Sequence, residues 1–370
     1  MKKWIAFLCA AAAMTGALAG CGAQSQQSSE NGTTEQAATD ASGDLSGLSD
    51  KFGAAVKQNE FEGVAYAAQN GEKLFESESG QGYNADTVYH IASLSKQFTA
   101  AAVLLLEEEG RLSVDDTLDK YFPDYSGGDT VKLHHLLCMR SGIADYTDAM
   151  LEGAYVPESI GVTADNSADE NRAAMETWIL ENTTPAPDLN FTYSNTNYFL
   201  LAEVIEKVSG ESYEDYINEK IISPLGMNST GFGDTWNKTD LTVASGMGET
   251  KYAFVTYPAA AYGAGDMMST AKDLTIWANE FINGKNKVLS DSIITKMTAN
   301  YENAGYGYGV MLDENHGIVH HAGNLPPFTT YLSVDRETGF VLVLLDNAED
   351  TSEKDVMQQM NKDYYAAKSA

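Results

Sequence analysis

The chain has 370 residues, of which 53 are acidic and 23 are basic, so its formal net charge is −30 at pH 7. A protein this acidic repels phosphate backbones, which argues against nucleic acid as a partner. Hydrophobic residues make up 43% of the chain, and its length suits one large domain or two closely joined ones. The composition therefore indicates a folded, acidic protein, and its activity has to be inferred from sequence motifs.

Residues 1–21 have the pattern of a secretory signal peptide. Lys2 and Lys3 precede a short apolar run, and the segment ends in Leu-Ala-Gly-Cys at Cys21. Small residues before a cysteine resemble the lipobox of bacterial lipoproteins, which implies cleavage before Cys21 and acylation of its thiol. The alternatives are an ordinary signal peptide with a chance cysteine and an uncleaved membrane anchor. We predict an exported, extracytoplasmic protein that is anchored by lipid to the cell membrane.

A polar segment at 22–45 follows and predicts a flexible tether, because it contains too few apolar residues to form a core. The folded domain is expected at 46–368. Its first element is a hairpin within 61–75, in which two short strands flank Asn70 and Gly71, a pair typical of tight hairpin turns.

Ser93 and Lys96 form a Ser-x-x-Lys pattern, the most informative feature of the chain. A serine hydroxyl is a weak nucleophile until a neighbour accepts its proton. Positions i and i+3 share one face of a helix, so the Lys96 amine can lie beside the Ser93 hydroxyl. Residues 98–106 are apolar on nearly every face and predict a buried helix, with Gly110 as its C-cap.

The pattern has only two fixed positions, so roughly one or two matches are expected by chance in a chain of this length. A second match stands at Ser269 and Lys272. There, Thr270 and Asp273 predict a capping box that opens an amphipathic helix. Ser269 and Lys272 are therefore interpreted as structural, and Ser93 and Lys96 need support from the rest of the chain.

The remaining elements predict an α+β fold: one antiparallel sheet covered by helices, with a mostly helical subdomain inserted at roughly 110–285. The middle contains a clear helix at 197–209 that ends at Gly210. The later part predicts three strands and a final helix, at 306–312, 329–334, 340–345 and 352–367.

Two further short motifs accompany the Ser-x-x-Lys pattern. Tyr193 and Asn195 form Tyr-x-Asn before a helix, and His321-Ala322-Gly323 forms His-x-Gly near a strand. Tyr-x-Asn alone is weak, since it also occurs at Tyr216 and Tyr301. Longer runs add specificity, namely Gly110-Arg111-Leu112-Ser113-Val114-Asp115-Asp116, Leu136-Leu137-Cys138-Met139-Arg140-Ser141-Gly142-Ile143, Pro224-Leu225-Gly226-Met227 and Gly265-Asp266-Met267-Met268-Ser269-Thr270.

Together these motifs resemble the serine β-lactamase-related family of penicillin-recognising hydrolases, in its class C-like branch, over roughly residues 50–348. That family also includes D-alanyl-D-alanine carboxypeptidases, D-amino peptidases and esterases. The resemblance implies a β-lactamase/transpeptidase-like fold, with Ser93 as the nucleophile of an acyl-enzyme and Lys96 as its proton acceptor. Tyr193 would relay protons, either as a phenolate or as a neutral phenol, and Asn195 would hydrogen-bond Lys96 or a substrate amide.

The resemblance also implies substrate contacts along a strand. His321 stands where relatives carry Lys or His, and Gly323 would let substrate backbone lie against the edge strand. The backbone N–H groups of Ser93 and Asn324 would form the oxyanion hole, which can supply several kcal/mol of transition-state stabilisation.

The sequence departs from the family at its third motif, which is usually Lys-Thr-Gly. Ala322 has no hydroxyl and His321 is largely neutral at pH 7, so a substrate carboxylate loses two contacts. We therefore expect weak or no β-lactamase activity, with a gain for carboxylate substrates near pH 6 as His321 becomes protonated. Cys138-Met139-Arg140 replaces the usual Thr-His-Thr, which is expected to alter the packing nearby.

The favoured function is hydrolysis of an ester or amide, in a small ester or a cell-wall-type D-amino peptide. The alternatives are a non-hydrolytic, lipid-anchored penicillin-binding or cell-wall-binding module, and a solute-receptor lipoprotein. The expected partners are a small-molecule or peptide substrate and, through the lipid, the membrane; no dedicated protein partner is predicted. No cofactor is expected, and no Cys/His cluster has the spacing of a zinc site.

Overall fold

The structure is a computed structural model that describes residues 45–151, 161–163, 165–187, 190–233, 241–246, 258–313, 317–348 and 353–369. The predicted signal peptide, Cys21 and nearly all of the predicted tether lie outside the described residues. Across the residues that are described, no helix combines the length and the apolar character that crossing a bilayer requires.

A six-stranded antiparallel sheet forms the centre of the domain. In chain order the described strands are β1 (Val64–Gln69), β2 (Glu72–Glu76), β3 (Tyr89–His90), β4 (Gly231–Phe232), β5 (Met267–Ser269), β6 (Met311–Asp313), β7 (Ile318–Leu325), β8 (Phe328–Asp335) and β9 (Phe340–Asp346). The large sheet has the order β2-β1-β9-β8-β7-β6. Every residue of β9 is buried, as expected for a strand with a neighbour on each side and helices over both faces.

The predicted hairpins are confirmed. Asn70 and Gly71 join β1 to β2 with φ values of 52° and 89°, and positive φ at both central positions is what a tight hairpin turn requires. The β8–β9 hairpin pairs Val334 with Val341. The expected strand at 306–312 is wrong in extent, since β6 covers only Met311–Asp313 and Tyr306 contributes one isolated bridge.

The described α-helices cover both faces of this sheet. They are α1 (Leu48–Gln58), α2 (Ser95–Glu108), α3 (Leu133–Leu137), α4 (Tyr146–Leu151), α5 (Ala168–Asn182), α6 (Asn195–Ser209), α7 (Tyr213–Ile217), α8 (Ser223–Leu225), α9 (Ala271–Ala278), α10 (Asp291–Met297) and α11 (Glu353–Lys368). One core lies between the sheet and the terminal helices α1 and α11, where the rings of Phe340 and Tyr364 stack at 3.8 Å. The larger core surrounds α2 and α6.

Helix α2 is buried on nearly all sides, as its apolar sequence predicts. The predicted C-terminal helix is confirmed at Glu353–Lys368, and the predicted N-cap of α9 is confirmed because Thr270 Oγ1 accepts a hydrogen bond from Asp273 N–H. The described part of the middle region is not purely helical. It contributes β4 and β5 to a small sheet of order β3-β5-β4, in which β3 comes from the part of the chain before Ser93. These strands are too short to produce a periodic pattern in the sequence.

Candidate active site

Ser93 lies in a tight turn that leads directly into α2. The turn is a single 3₁₀ stretch, Ala92–Leu94, and Ala92 has a left-handed φ of 49°. Ile91 anchors it, because its N–H donates to Met267 O at 3.0 Å and its carbonyl accepts from Thr330 Oγ1 at 3.0 Å. The turn therefore holds the half-buried Ser93 at the junction of both sheets and α2.

Lys96 is fully buried one turn beyond Ser93. Its Nζ lies 3.0 Å from Ser93 Oγ, 2.7 Å from Asn195 Oδ1 and 2.7 Å from the carbonyl oxygen of Ala264. Burial lowers the pKa of Lys96 to about 7, although the carboxylates of Asp145 and Asp266 act in the opposite direction. A large fraction of the Lys96 amine is therefore neutral near pH 7.

Tyr193 lies two residues before α6 and brings its hydroxyl within hydrogen-bonding distance of Ser93. Its O–H donates to Ser93 Oγ at 3.0 Å, and Lys96 Nζ lies 5.0 Å from the centre of its ring. Burial raises the pKa of Tyr193 above the ordinary value of about 10 for a tyrosine, and the bond to Ser93 offsets this only in part. Tyr193 is therefore a neutral phenol at physiological pH.

Asn195 is the first residue of α6, and its carboxamide bridges Lys96 and Asp145. Oδ1 accepts from Lys96, while Nδ2 donates to Asp145 Oδ2 at 2.9 Å and lies 3.3 Å from Thr147 Oγ1. Asp145 was missed by the sequence analysis. It stands two residues after the matched run that ends at Ile143, and no local spacing connects it to Asn195.

The second Ser-x-x-Lys pair does not form a site. Ser269 Oγ lies 2.7 Å from Thr230 Oγ1, and Lys272 points to the surface, where it forms an ion pair with Asp86 at 2.6 Å. The two side chains have separate structural partners, in contrast to Ser93 and Lys96.

Strand β7 carries the third motif and passes close to the Ser93 turn. A Cβ atom on Gly323 would lie 2.3 Å from Thr330 Oγ1 and 2.6 Å from Ile91 O. Glycine at this position therefore lets β7 approach the Ser93 turn closely. The reason expected from the sequence is different, namely room for substrate backbone.

His321, the expected substrate contact, occupies a buried position on β7. His321 is 1% exposed, and its Nδ1 lies 2.6 Å from the carbonyl oxygen of Ala322. A carbonyl only accepts, so Nδ1 carries the hydrogen and Nε2 accepts from Tyr306 O–H at 3.4 Å. Burial and then the nearby Lys96 lower the pKa of His321 to about 3, so the gain expected from its protonation near pH 6 is not supported.

The edge of β7 near Asn324 has no strand partner among the described residues, because β6 pairs only with Ile318–His320. The β7–β8 turn closes at the pair of Leu325 and Phe328. Since hydrogen-bonded and non-hydrogen-bonded pairs alternate along an antiparallel ladder, we expect the N–H of Asn324 to point away from β8, toward this open edge.

Within the described ranges, no group of three or more His, Cys, Asp or Glu side chains could hold a metal ion. Cys138 is buried, and burial raises the pKa of its thiol to about 12. Ser93, Lys96 and Tyr193 bring a hydroxyl, an amine and a phenol together at the candidate site.

The fold is that of β-lactamase and transpeptidase-like proteins. A family model described as "Beta-lactamase" matches residues 48–366, and the chain belongs to that family.

Relatives match over most of this domain. Penicillin-binding protein 4* of Bacillus subtilis (strain 168) is 28% identical over 331 residues, which cover 80% of this chain and 70% of that protein. The solved octameric penicillin-binding protein homologue from Pyrococcus abyssi is 28% identical with a TM-score of 0.68, covering 85% of this chain and 76% of that one. A D-stereospecific amidohydrolase from Streptomyces sp. is 27% identical with a TM-score of 0.67, covering 85% and 98%.

Proposed function

We propose that the protein hydrolyses an ester or amide through an acyl-enzyme on Ser93, with Lys96 as the general base. The observation that carries this proposal is the contact of 3.0 Å between Ser93 Oγ and the Nζ of a buried lysine whose pKa is lowered to about 7. A base with a pKa near the working pH is the most effective acceptor for a serine proton.

The hydrogen bonds of Lys96 support the direction of that proton transfer. A neutral amine has two N–H groups and one lone pair. The carbonyl oxygens of Ala264 and of the Asn195 side chain can only accept, so they take the two N–H groups. The lone pair is then left for the hydroxyl of Ser93, which is the arrangement that general-base catalysis needs.

Tyr193 acts in this proposal as a neutral relay and not as a phenolate base. Its raised pKa keeps its proton in place, and its contact with Ser93 Oγ puts that proton near the leaving group. The N–H groups of Ser93 and Asn324 are proposed to bind the oxyanion. One such donor is typically worth about 3 kcal/mol in the transition state.

The proposed substrates are small neutral esters and D-amino amides or peptides, with weak or no β-lactam turnover. His321 stays neutral and Ala322 has no hydroxyl, so neither offers a substrate carboxylate a charged or hydroxyl contact. Phe191, which is 39% exposed and lies two residues before Tyr193, offers apolar surface. The names of the amidohydrolase and penicillin-binding relatives are consistent with amide chemistry.

A hydrolysis screen tests the proposed function directly. The substrates are p-nitrophenyl esters, D-amino acid amides, D-Ala-D-Ala peptides and a chromogenic cephalosporin, each at pH 7.5. We expect turnover of neutral esters or amides and little of the cephalosporin. Adduct formation without any turnover would instead support a non-hydrolytic binding module, and efficient cephalosporin hydrolysis would mean that another group holds the carboxylate.

The pH dependence of kcat/KM for a neutral ester is expected to follow Lys96. Activity should rise with pH through an apparent pKa of about 7, because only the neutral amine accepts a proton. Titration of Tyr193 should cause no fall below about pH 10, the ordinary pKa of tyrosine. Initial rates from pH 5 to 9.5 measure the acid limb and the expected plateau above it. A profile that is flat through pH 7 would reject Lys96 as the base.

Lipid attachment at Cys21 is proposed as the means by which the protein is anchored to the extracytoplasmic side of the cell membrane. A diacylglyceryl group supplies two chains, which is enough for stable anchoring. The Cys21→Ser variant should be released from membranes or keep its signal peptide. Unchanged membrane retention and an unchanged mass would contradict lipidation.

A further inference from the structure

Asp145 lies behind the proposed base and outside every motif of the sequence. Both of its carboxylate oxygens are engaged. Oδ2 accepts from Asn195 Nδ2 at 2.9 Å, and Oδ1 accepts from the backbone N–H of Thr147 at 3.0 Å. The carboxylate is therefore fixed in orientation and joined to Lys96 through a single carboxamide.

The loop that carries Asp145 is attached to α6 independently of that carboxylate. Thr196 Oγ1 donates to Ala144 O at 2.7 Å and accepts from Tyr146 N–H at 3.0 Å. The bonds of Thr196 hold the residues on both sides of Asp145. Asp145 Oδ1 in addition caps the start of α4 through the N–H of Thr147. Neither of these attachments uses Oδ2, so the contact of Oδ2 with Asn195 calls for another explanation.

We propose that Asp145 is a positioning residue of the hydrolytic site, which holds the carboxamide of Asn195 with Oδ1 toward Lys96 and thereby directs the lone pair of Lys96 at Ser93. A carboxamide can turn over and exchange its oxygen with its NH₂ group at little steric cost. A turned Asn195 would present N–H donors to Lys96 and compete with Ser93 for the lone pair. A carboxylate only accepts, so Asp145 admits one orientation.

The negative charge of Asp145 raises the pKa of Lys96, whereas burial lowers it. The ionisable or ring groups that face Lys96 come from several elements. They are Asp145 before α4, Asp266 before β5, His321 on β7, and the rings of Tyr193 and Tyr198 before and within α6. Removing the negative charge of Asp145 should therefore lower the pKa of Lys96, and with it the pH at which activity begins.

The test compares Asp145→Asn with Asp148→Asn, which removes an equal charge from an exposed position three residues away. This inference rests on the proposed function, and the assay is kcat/KM for a p-nitrophenyl ester from pH 5 to 9.5. We expect Asp145→Asn to lower the plateau value of kcat/KM by about 100-fold, because a small misplacement in a catalytic site can cost that much. We also expect its acid limb to move to lower pH. Asp148→Asn should leave both unchanged.

A double variant, Asp145→Asn with Asn195→Asp, separates positioning from folding. The exchanged pair can still form a hydrogen bond, now with the carboxylate beside Lys96. We expect partial recovery of the plateau relative to Asp145→Asn, with the acid limb moved above that of the unaltered protein.

The outcomes are distinguishable. An unchanged pH profile in Asp145→Asn would overturn the role of Asp145 while leaving Ser93 and Lys96 in place. So would lower activity in both Asp145→Asn and the double variant with no shift of the acid limb in either. An unaltered protein that neither turns over esters nor reacts at Ser93 would reject the proposed function, and this inference with it.

Discussion

The Ser93→Ala variant is expected to lose ester turnover and covalent labelling completely, with its fold retained. Ser93 Oγ receives the hydrogen bond of Tyr193 and contacts Lys96, and no other hydroxyl takes its place in the proposed reaction. Removing the nucleophile of a serine hydrolase lowers kcat on the order of 10⁶-fold. Steady-state rates and labelling by a fluorophosphonate probe measure the loss, and circular dichroism checks the fold.

Ser269→Ala is the matched control, because it removes the serine of the second Ser-x-x-Lys pattern. Its hydroxyl bonds to Thr230 within the small sheet. Loss of a buried hydroxyl costs about 1–3 kcal/mol of stability, while the chemistry should be nearly unchanged. Inactivity of Ser269→Ala beside an active Ser93→Ala would reverse the assignment of the nucleophile.

Replacement of Lys96 by alanine is expected to have the second largest effect. The variant removes the proposed base together with the N–H groups that Ala264 O and Asn195 Oδ1 accept. Loss of a positioned general base costs about 100-fold to 10,000-fold in rate, and weaker activation of the nucleophile adds to this. Acylation rates from single-turnover kinetics with a p-nitrophenyl ester give the effect without a contribution from deacylation.

Lys272→Ala controls for the loss of a lysine in the same sequence pattern. Lys272 forms an exposed ion pair with Asp86, and such pairs contribute little to stability. Its acylation rate and pH profile should match those of the unaltered protein. If Lys96→Ala is acylated at a rate within about threefold of the unaltered protein, Lys96 is not the general base, because loss of a positioned base lowers the rate far more.

The cluster of Ser93, Lys96, Tyr193 and Asn195 could be predicted from the sequence. Ser93 and Lys96 are joined by helical spacing, and Tyr193 and Asn195 by a motif within a familiar order of motifs. Such local patterns depend only on the residue types at nearby positions in the sequence. The same holds for the Asn70 turn, whose backbone needs residues that tolerate positive φ.

The environment of the site could not be predicted in the same way. The neutral state of His321 depends on its burial and on its bonds to Ala322 and Tyr306, which only the folded chain brings together. The contact between Asp145 and Asn195 spans 50 residues of sequence. Each follows from tertiary packing, for which a single sequence has no local signal.

The central claim is that Ser93 is the residue that becomes acylated, and a mapped covalent adduct tests it most directly. The mature protein is treated with a fluorophosphonate probe at pH 7.5, weighed intact, and digested for peptide mass spectrometry. The proposal predicts one adduct per chain, on the peptide that contains Ser93, and its loss in Ser93→Ala but not in Ser269→Ala. An unmodified protein, or an adduct on Ser269, would contradict the proposal.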